Sequence, residues 1–233
     1  EYLSEKYRKL SVKNYAAGGS TVDGDILRFD TDVPSLKEQA IQISGELDVP
    51  FGRIRDWLKI NKRLAVIWGG SNDFVANATV AAKTIVPSIL NVANVLKQTD
   101  KFDHIFIFNL VNIVRTPLGN NLPAPQKAMM NQVMNQVNQA LAKAVQDAQA
   151  KDPSQRLTLV DADSIAAELI NIPQSSEKWE PLNACVDSSH LNTTLICEHP
   201  EYSFYYDLKH PNTISHKGFS EKFEEILDQS NYI

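Results

Sequence analysis

The chain has 233 residues, and 23 Lys and Arg against 28 Asp and Glu give a net charge of −5. With 43% hydrophobic and 22% charged residues it has a globular composition, which excludes extensive disorder and collagen-like or disulfide-dense scaffolds. The acidic balance also argues against nucleic acid as a partner, because a sequence-independent phosphate-binding surface needs clustered Lys and Arg. One domain over residues 1–233 is expected. The first residue is Glu1 rather than Met, so a processed product or a fragment is expected.

Taken in chain order, short apolar runs alternate with longer helical patterns, the signature of a parallel α/β sheet with helices on both faces. Val12–Ala16 reads as a short strand running into Gly18-Gly19. Val33–Ile43 and Phe51–Lys59 read as helices separated by Pro50. Leu64–Trp68 is a buried strand ending at Gly69-Gly70. Thr79–Thr99 is helical, with a kink or split expected at Pro87. His104–Asn109 is a second apolar strand, and Thr116–Pro125 a Pro- and Gly-rich loop. Ala124–Lys151 is the clearest helix: Met130, Val133, Met134, Val137, Leu141, Val145 and Ala148 form one stripe, which reads as a core face. Arg156–Asp161 is a third strand and Ser164–Asn171 a short helix. Pro173–Phe204 has little periodicity, and loops of that length are usually functional or disordered. A helix opened by Ser215 or Ser220 closes the chain over Ser215–Tyr232. The longest apolar runs, Leu64–Trp68 and Ile105–Phe108, fall short of the roughly 20 residues that span a bilayer, and no basic-then-apolar leader opens the sequence.

Cys185 and Cys197 lie in a polar, Pro-flanked segment, whereas free cysteine is usually buried among apolar neighbours. They read as a disulfide and hence as a mark of a secreted or periplasmic protein, with two free thiols in a cytosolic protein as the alternative. A zinc site would have to recruit His190 and His199, and the C-x4-H-x6-C-x-H spacing matches no common zinc pattern. No metal or cofactor is expected. Two sequons, at Asn77 and Asn192, matter only in a eukaryotic secretory route.

Three segments at predicted strand ends carry candidate chemistry, and the carboxyl ends of strands are where open α/β sheets bind ligands. In Asn14–Thr21 (NYAAGGST) the Gly pair permits a positive φ and close approach of an N–H to a ligand. In Trp68–Phe74 (WGGSNDF) Asn72 sits on a Gly-rich turn where its carboxamide can donate into a site. The bland alternative is a turn Asn, with Asp73 capping the next helix. In Tyr205–His216 (YYDLKHPNTISH) Asp207 and His210 are three apart, so one turn can put both on the same side. A carboxylate on one imidazole nitrogen fixes the tautomer and frees the other nitrogen as a general base.

In order and placement these segments resemble the GDSL, or SGNH, hydrolase family of esterases and lipases. Asn14–Thr21 matches the Gly-bearing second block, Gly70-Ser71-Asn72-Asp73 the G-x-N-D block, and Asp207, His210 and Pro211 the D-x-x-H-P block, with His216 six residues on. The Asn-Tyr-Ala opening, Tyr206 before the Asp and the Cys-bearing stretch look most like the secreted branch, which holds hemolysin-like phospholipases, lysophospholipases and lipid acyltransferases. The resemblance implies a three-layer α/β/α sandwich with a parallel, flavodoxin-like sheet. It also implies site roles. Asp207 orients the imidazole and His210 is general base and then acid. The N–H of Gly19 and the amide of Asn72 form the oxyanion hole, and His216 is a structural residue of the closing turn.

The family's nucleophile is the Ser of a Gly-Asp-Ser block at the end of the first strand, and no Gly-Asp-Ser occurs in this chain. Ser20 and Ser71 lie beside the expected oxyanion donors, but the family assigns neither a catalytic role. The first strand of this fold lies inside the sheet, and its removal would leave unpaired strand edges in the core. An upstream segment carrying that strand and the serine is therefore expected. The function expected is hydrolysis of lipid acyl esters through an acyl-enzyme, with transfer to a lipid alcohol as a variant and transient membrane-surface contact. The long segment, stapled by Cys185–Cys197, is expected to act as a lid. Alternatives are a carbohydrate acetylesterase and a catalytically inactive binding module on the same scaffold.

Overall fold

The computed structural model describes residues 2–7, 10–28, 30–47, 62–152, 154, 156–171, 179–187 and 195–232. The expected helix Phe51–Lys59, parts of the long segment (173–178 and 188–194), His190 and the sequon at Asn192 lie outside them. The chain divides into two compact units, one of Asn14–Leu110 and Val133–Asp161, the other of Glu1–Lys13, Val111–Gln132 and Ala162–Ile233.

The first unit holds a parallel sheet of β1 (Leu64–Ile67), β2 (His104–Phe108) and β3 (Leu157–Val160), in that order. Leu64 lies opposite His104 and Ile67 opposite Ile107, while Ile105 faces Leu157 and Phe108 faces Val160. Parallel neighbours need long crossovers. Helix α3 (Ser71–Gln98) lies between β1 and β2 in the chain, and α5 (Ala124–Lys151) between β2 and β3. The fold is α/β with a small parallel sheet, as predicted. β2 is buried from Ile105 to Phe108. In β1, Ala65 and Ile67 are buried, but Val66 is 51% exposed. The other edge of β1 pairs with no strand among the described residues.

Val12–Ala16 is not a strand. Backbone donors and acceptors form a strand only with a neighbour to accept and donate, and this run has no ladder partner among the described residues. Helix α2 (Leu36–Leu47) begins three residues later than predicted, because Ser35 and Glu38 close a capping box. Glu38 Oε2 accepts from the N–H of Ser35 at 2.7 Å, and Ser35 Oγ accepts from the N–H of Glu38 at 3.3 Å.

Helix α3 starts at Ser71, well before the predicted Thr79. Its break falls at Asn77 (φ −162°, ψ 97°) rather than at Pro87. Asn77 Oδ1 accepts from the N–H of Val80 at 3.1 Å and so caps the stretch that follows. Pro87 and Lys83, whose carbonyl the proline leaves without a donor, are both exposed, so water can satisfy it and the helix runs on. By length and composition α3 could cross a membrane. In this fold it packs on α2 and buries Phe74, Ile85, Ile89, Val92 and Leu96. The buried side chains of α5 are Met134, Val137, Leu141 and Val145, the centre of the predicted core stripe.

The second unit contains α1 (Tyr2–Lys6), α4 (Pro117–Asn120), α6 (Ala162–Asn171) and α7 (Thr213–Gln229), with α1 and α6 packed on α7. The short helix α4 lies inside the predicted loop Thr116–Pro125, capped by Thr116 Oγ1, which accepts from the N–H of Gly119 at 3.1 Å. α7 opens at Thr213 rather than at Ser215 or Ser220, because Asn212 Oδ1 caps it through the N–H of Ser215 at 3.0 Å. Two short strands, β4 (Val186–Asp187) and β5 (Leu195–Ile196), pair antiparallel.

Candidate active site

In the second unit the segment after Ser203 is anchored by apolar packing. Phe204 and Tyr205 are buried, and Phe204 meets Phe219 of α7 edge-on at 6.4 Å between centroids. The chain then makes a tight loop closed by a hydrogen bond from the N–H of Tyr206 to the carbonyl of His210, 2.7 Å. Leu208 at its tip accepts from the N–H of Leu118 at 3.0 Å. Asp207 is the hub of the loop. Its Oδ1 accepts from the N–H groups of Lys209 (2.8 Å) and His210 (2.7 Å). The ring Nδ1 of His210 lies 2.8 Å from Asp207 Oδ2. Partial burial alone would push the Asp207 carboxyl up. The hydrogen bonds from the His210 ring and the two N–H groups outweigh it, and the carboxyl sits below its ordinary range. The His210 side chain is 72% exposed, and its Nε2 has no partner among the described residues. With Nδ1–H donated to Asp207, Nε2 is left as an open acceptor.

Cys185 and Cys197 are joined, 4.8 Å apart at Cα. The N–H groups of Cys185 and Val186 donate to the carbonyls of Tyr205 (3.1 Å) and Tyr206 (2.7 Å), and Cys197 donates back to Cys185 at 2.7 Å. The disulfide therefore staples a segment that lies directly against the stretch leading into Asp207. His216, expected in a closing turn, is instead on α7. Burial and the charge of His210 hold its pKa below the ordinary value.

Gly19, Asn72 and Ser20 belong to the first unit. Gly19 adopts φ +86°, a conformation that only glycine enters freely, and its N–H has no partner among the described residues. Gly70, at φ 118°, lets the chain turn from β1 into α3. A Cβ there would meet Ile85 Cδ1 at 2.5 Å. The turn delivers Asn72, whose Nδ2 donates to the carbonyl of Ser20 at 2.9 Å, one residue from Gly19. An amide nitrogen carries two hydrogens, so one remains for a ligand. Ser20 Oγ is 2.8 Å from the carbonyls of Ala17 and Pro34 and from Nε2 of Gln39, so it is committed to structure.

Asp73 was expected at most as a helix cap. Gly70 is the N-cap of α3, and the buried Asp73 carboxylate instead accepts from the N–H of Val22 with both oxygens, at 3.2 and 3.1 Å. No local pattern signals this role, because Val22 lies 51 residues away in sequence. Among the described residues no cluster of His, Cys, Asp and Glu is built to hold a metal.

A carboxylate-held imidazole on an α/β scaffold is the equipment of a hydrolase that works through an activated nucleophile. The sequence profile of the GDSL-like lipase/acylhydrolase family matches residues 1–223, and the chain belongs to that family. It is by family an esterase- or lipase-type acylhydrolase. A search of the curated proteins finds no match.

Proposed function

We propose that the protein is a serine ester hydrolase acting on lipid acyl esters, with Asp207 and His210 as its acid–base pair. The observation that carries this reading is the 2.8 Å contact between His210 Nδ1 and Asp207 Oδ2, with Nε2 left open. The nucleophile is a serine supplied by a Gly-Asp-Ser segment upstream of Glu1, whose strand lies beside β1. The edge of β1 that pairs with no strand among the described residues, and the exposed Val66, support that placement.

In this mechanism His210 Nε2 takes the serine proton as Oγ attacks the ester carbonyl. The N–H of Gly19 and the amide of Asn72 stabilise the resulting oxyanion, each by about 2.7–4 kcal/mol. The imidazolium, held by Asp207, then gives its proton to the departing alkoxide, leaving an acyl-enzyme. Water, or a lipid alcohol in an acyl transfer, completes the cycle by the same steps in reverse order. The apolar side chains of Tyr206 and Leu208, exposed on either side of Asp207, favour a lipid substrate and contact with a lipid surface. The disulfide and the family favour a secreted protein.

A second reading is an inactive binding module on the same scaffold, favoured by the absence of Gly-Asp-Ser from these residues. Side-by-side hydrolysis of short-chain acetyl and long-chain acyl esters by the full-length protein separates the possibilities. Preference for long chains supports the lipase reading. Preference for acetyl esters, of sugars above all, replaces it with a carbohydrate acetylesterase, and no turnover of either leaves the binding module.

A further inference from the structure

We propose that Asp73 is a positioning residue of the oxyanion hole: its buried carboxylate pins Val22 and thereby aims the N–H of Gly19. The inference rests on reading Gly19 and Asn72 as the oxyanion donors.

A glycine at positive φ is a hinge with few constraints of its own. The N–H of Gly19 lies in the peptide plane it shares with Gly18, so its direction is defined only if the chain is held both before and after it. Before it, the carbonyl of Ala17 accepts from the N–H of Ser20 at 3.3 Å and from Ser20 Oγ at 2.8 Å. After it, the next three residues are fixed from two helices. Asn72, at the head of α3, holds the carbonyl of Ser20 at 2.9 Å. The first turn of α2 donates to the carbonyls of Thr21 (from Leu36, 2.9 Å) and Val22 (from Lys37, 3.1 Å). Asp73 closes the set by accepting the N–H of Val22 with both oxygens. A single N–H shared between two oxygens lies along the bisector of the carboxylate, so the contact restrains orientation as well as distance.

Asp73 is 3% exposed and Val22 is fully buried, so water cannot substitute for either partner. Burial pushes the Asp73 carboxyl up to about 6, with the bond from Val22 opposing and the charge of Asp23 adding to the rise. Asp23 is in turn paired with Lys37 of α2 at 3.2 Å, and Lys37 also holds Asp25 at 2.8 Å. A buried carboxylate is costly where a neutral side chain could cap a helix. Its place between the Gly19–Val22 segment and the Asn72 turn gives that cost a purpose: two donors from separate segments are held in one geometry.

The test uses the full-length protein. Asp73→Asn keeps the shape and one acceptor oxygen, and Asp73→Ala keeps neither. On a soluble ester, Asp73→Asn is expected to lower kcat about 10-fold and Asp73→Ala about 100-fold or more, with KM within about twofold of wild type. In the wild type, the Asp73 side-chain carboxyl carbon and the amide resonances of Val22 and Gly19 are followed by NMR across about pH 4–8. All three are expected to share one midpoint near 6. A folded Asp73→Asn with unchanged kcat, a loss confined to KM, or a Gly19 amide that ignores the Asp73 titration overturns the proposal. Wild-type protein inert on every ester overturns the underlying functional reading instead, and the NMR comparison, which needs neither a variant nor turnover, still decides the link between Asp73 and Gly19.

Discussion

Asp207 Oδ2 lies 2.8 Å from His210 Nδ1, while Oδ1 of the same carboxylate accepts from the N–H groups of Lys209 and His210. The carboxylate thus shapes its own loop and orients the imidazole together. Replacing Asp207 with Asn keeps the size but offers an amide donor to the ring, which favours the wrong tautomer. The expected loss in kcat on a soluble ester is about 10⁴-fold, the magnitude found for the equivalent change in a Ser-His-Asp triad, with KM little altered. A loss of less than tenfold would remove Asp207 from the acid–base pair.

Asn72 makes one hydrogen bond to Ser20 and keeps one N–H in reserve. Asn72→Ala is expected to lower kcat by about 10²–10³ with little effect on KM, because an oxyanion donor acts on charge that develops only in the transition state. Steady-state kinetics on one ester decide this. A rise in KM at constant kcat would assign Asn72 to ground-state binding.

Ser35 and Glu38 form the capping box of α2, far in sequence from the Asp–His loop. Ser35→Ala should cost about 1 kcal/mol of stability. Thermal unfolding measures that cost, and an unchanged Tm would show that the capping box contributes nothing to α2.

Two carboxylates give stability opposite pH dependences. Asp207 has its pKa depressed in the fold, so its contribution is present above the unfolded value near ~3.9 and is lost as pH falls through the folded value. Asp73 has its pKa raised to about 6, so its contribution is full below the unfolded value and is lost as pH rises through about 6. Denaturant unfolding of wild type and Asp73→Asn should therefore diverge across about pH 4–6, wild type losing stability relative to the variant as pH rises. Parallel curves would show that Asp73 is not the group titrating.

The disulfide closes a loop with a sequence separation of 12 and lies against Tyr205 and Tyr206. Reduction is expected to cost about 3 kcal/mol in the chain-entropy account. If the stapled segment also serves as a lid, reduction changes the ratio of rates on micellar and monomeric esters. An equal fall on both indicates a support for the Asp–His loop alone.

The three strands were legible because each is an apolar run ending at a polar residue or a glycine, and α5 because its stripe repeats over many turns. The Asp–His pair was legible for a similar local reason, since a spacing of three brings two side chains together wherever the chain makes one turn between them. Val12–Ala16 misled because a strand is defined by its partner, and an isolated short run carries no information about that partner. The break in α3 was assigned to Pro87, although an exposed proline can be absorbed and a side-chain cap at Asn77 can begin a new helix. Asp73 was hidden for a related reason. Its partner, Val22, is 51 residues away, and no local pattern reports a contact of that range.

The central claim is that Asp207 and His210 activate a serine. Labelling of the full-length protein with a fluorophosphonate, followed by mass spectrometry of the labelled peptide, tests it most directly. One phosphonylated serine in a Gly-Asp-Ser sequence is expected, with labelling abolished in His210→Ala. An unlabelled wild type, or labelling that persists without His210, would contradict the account.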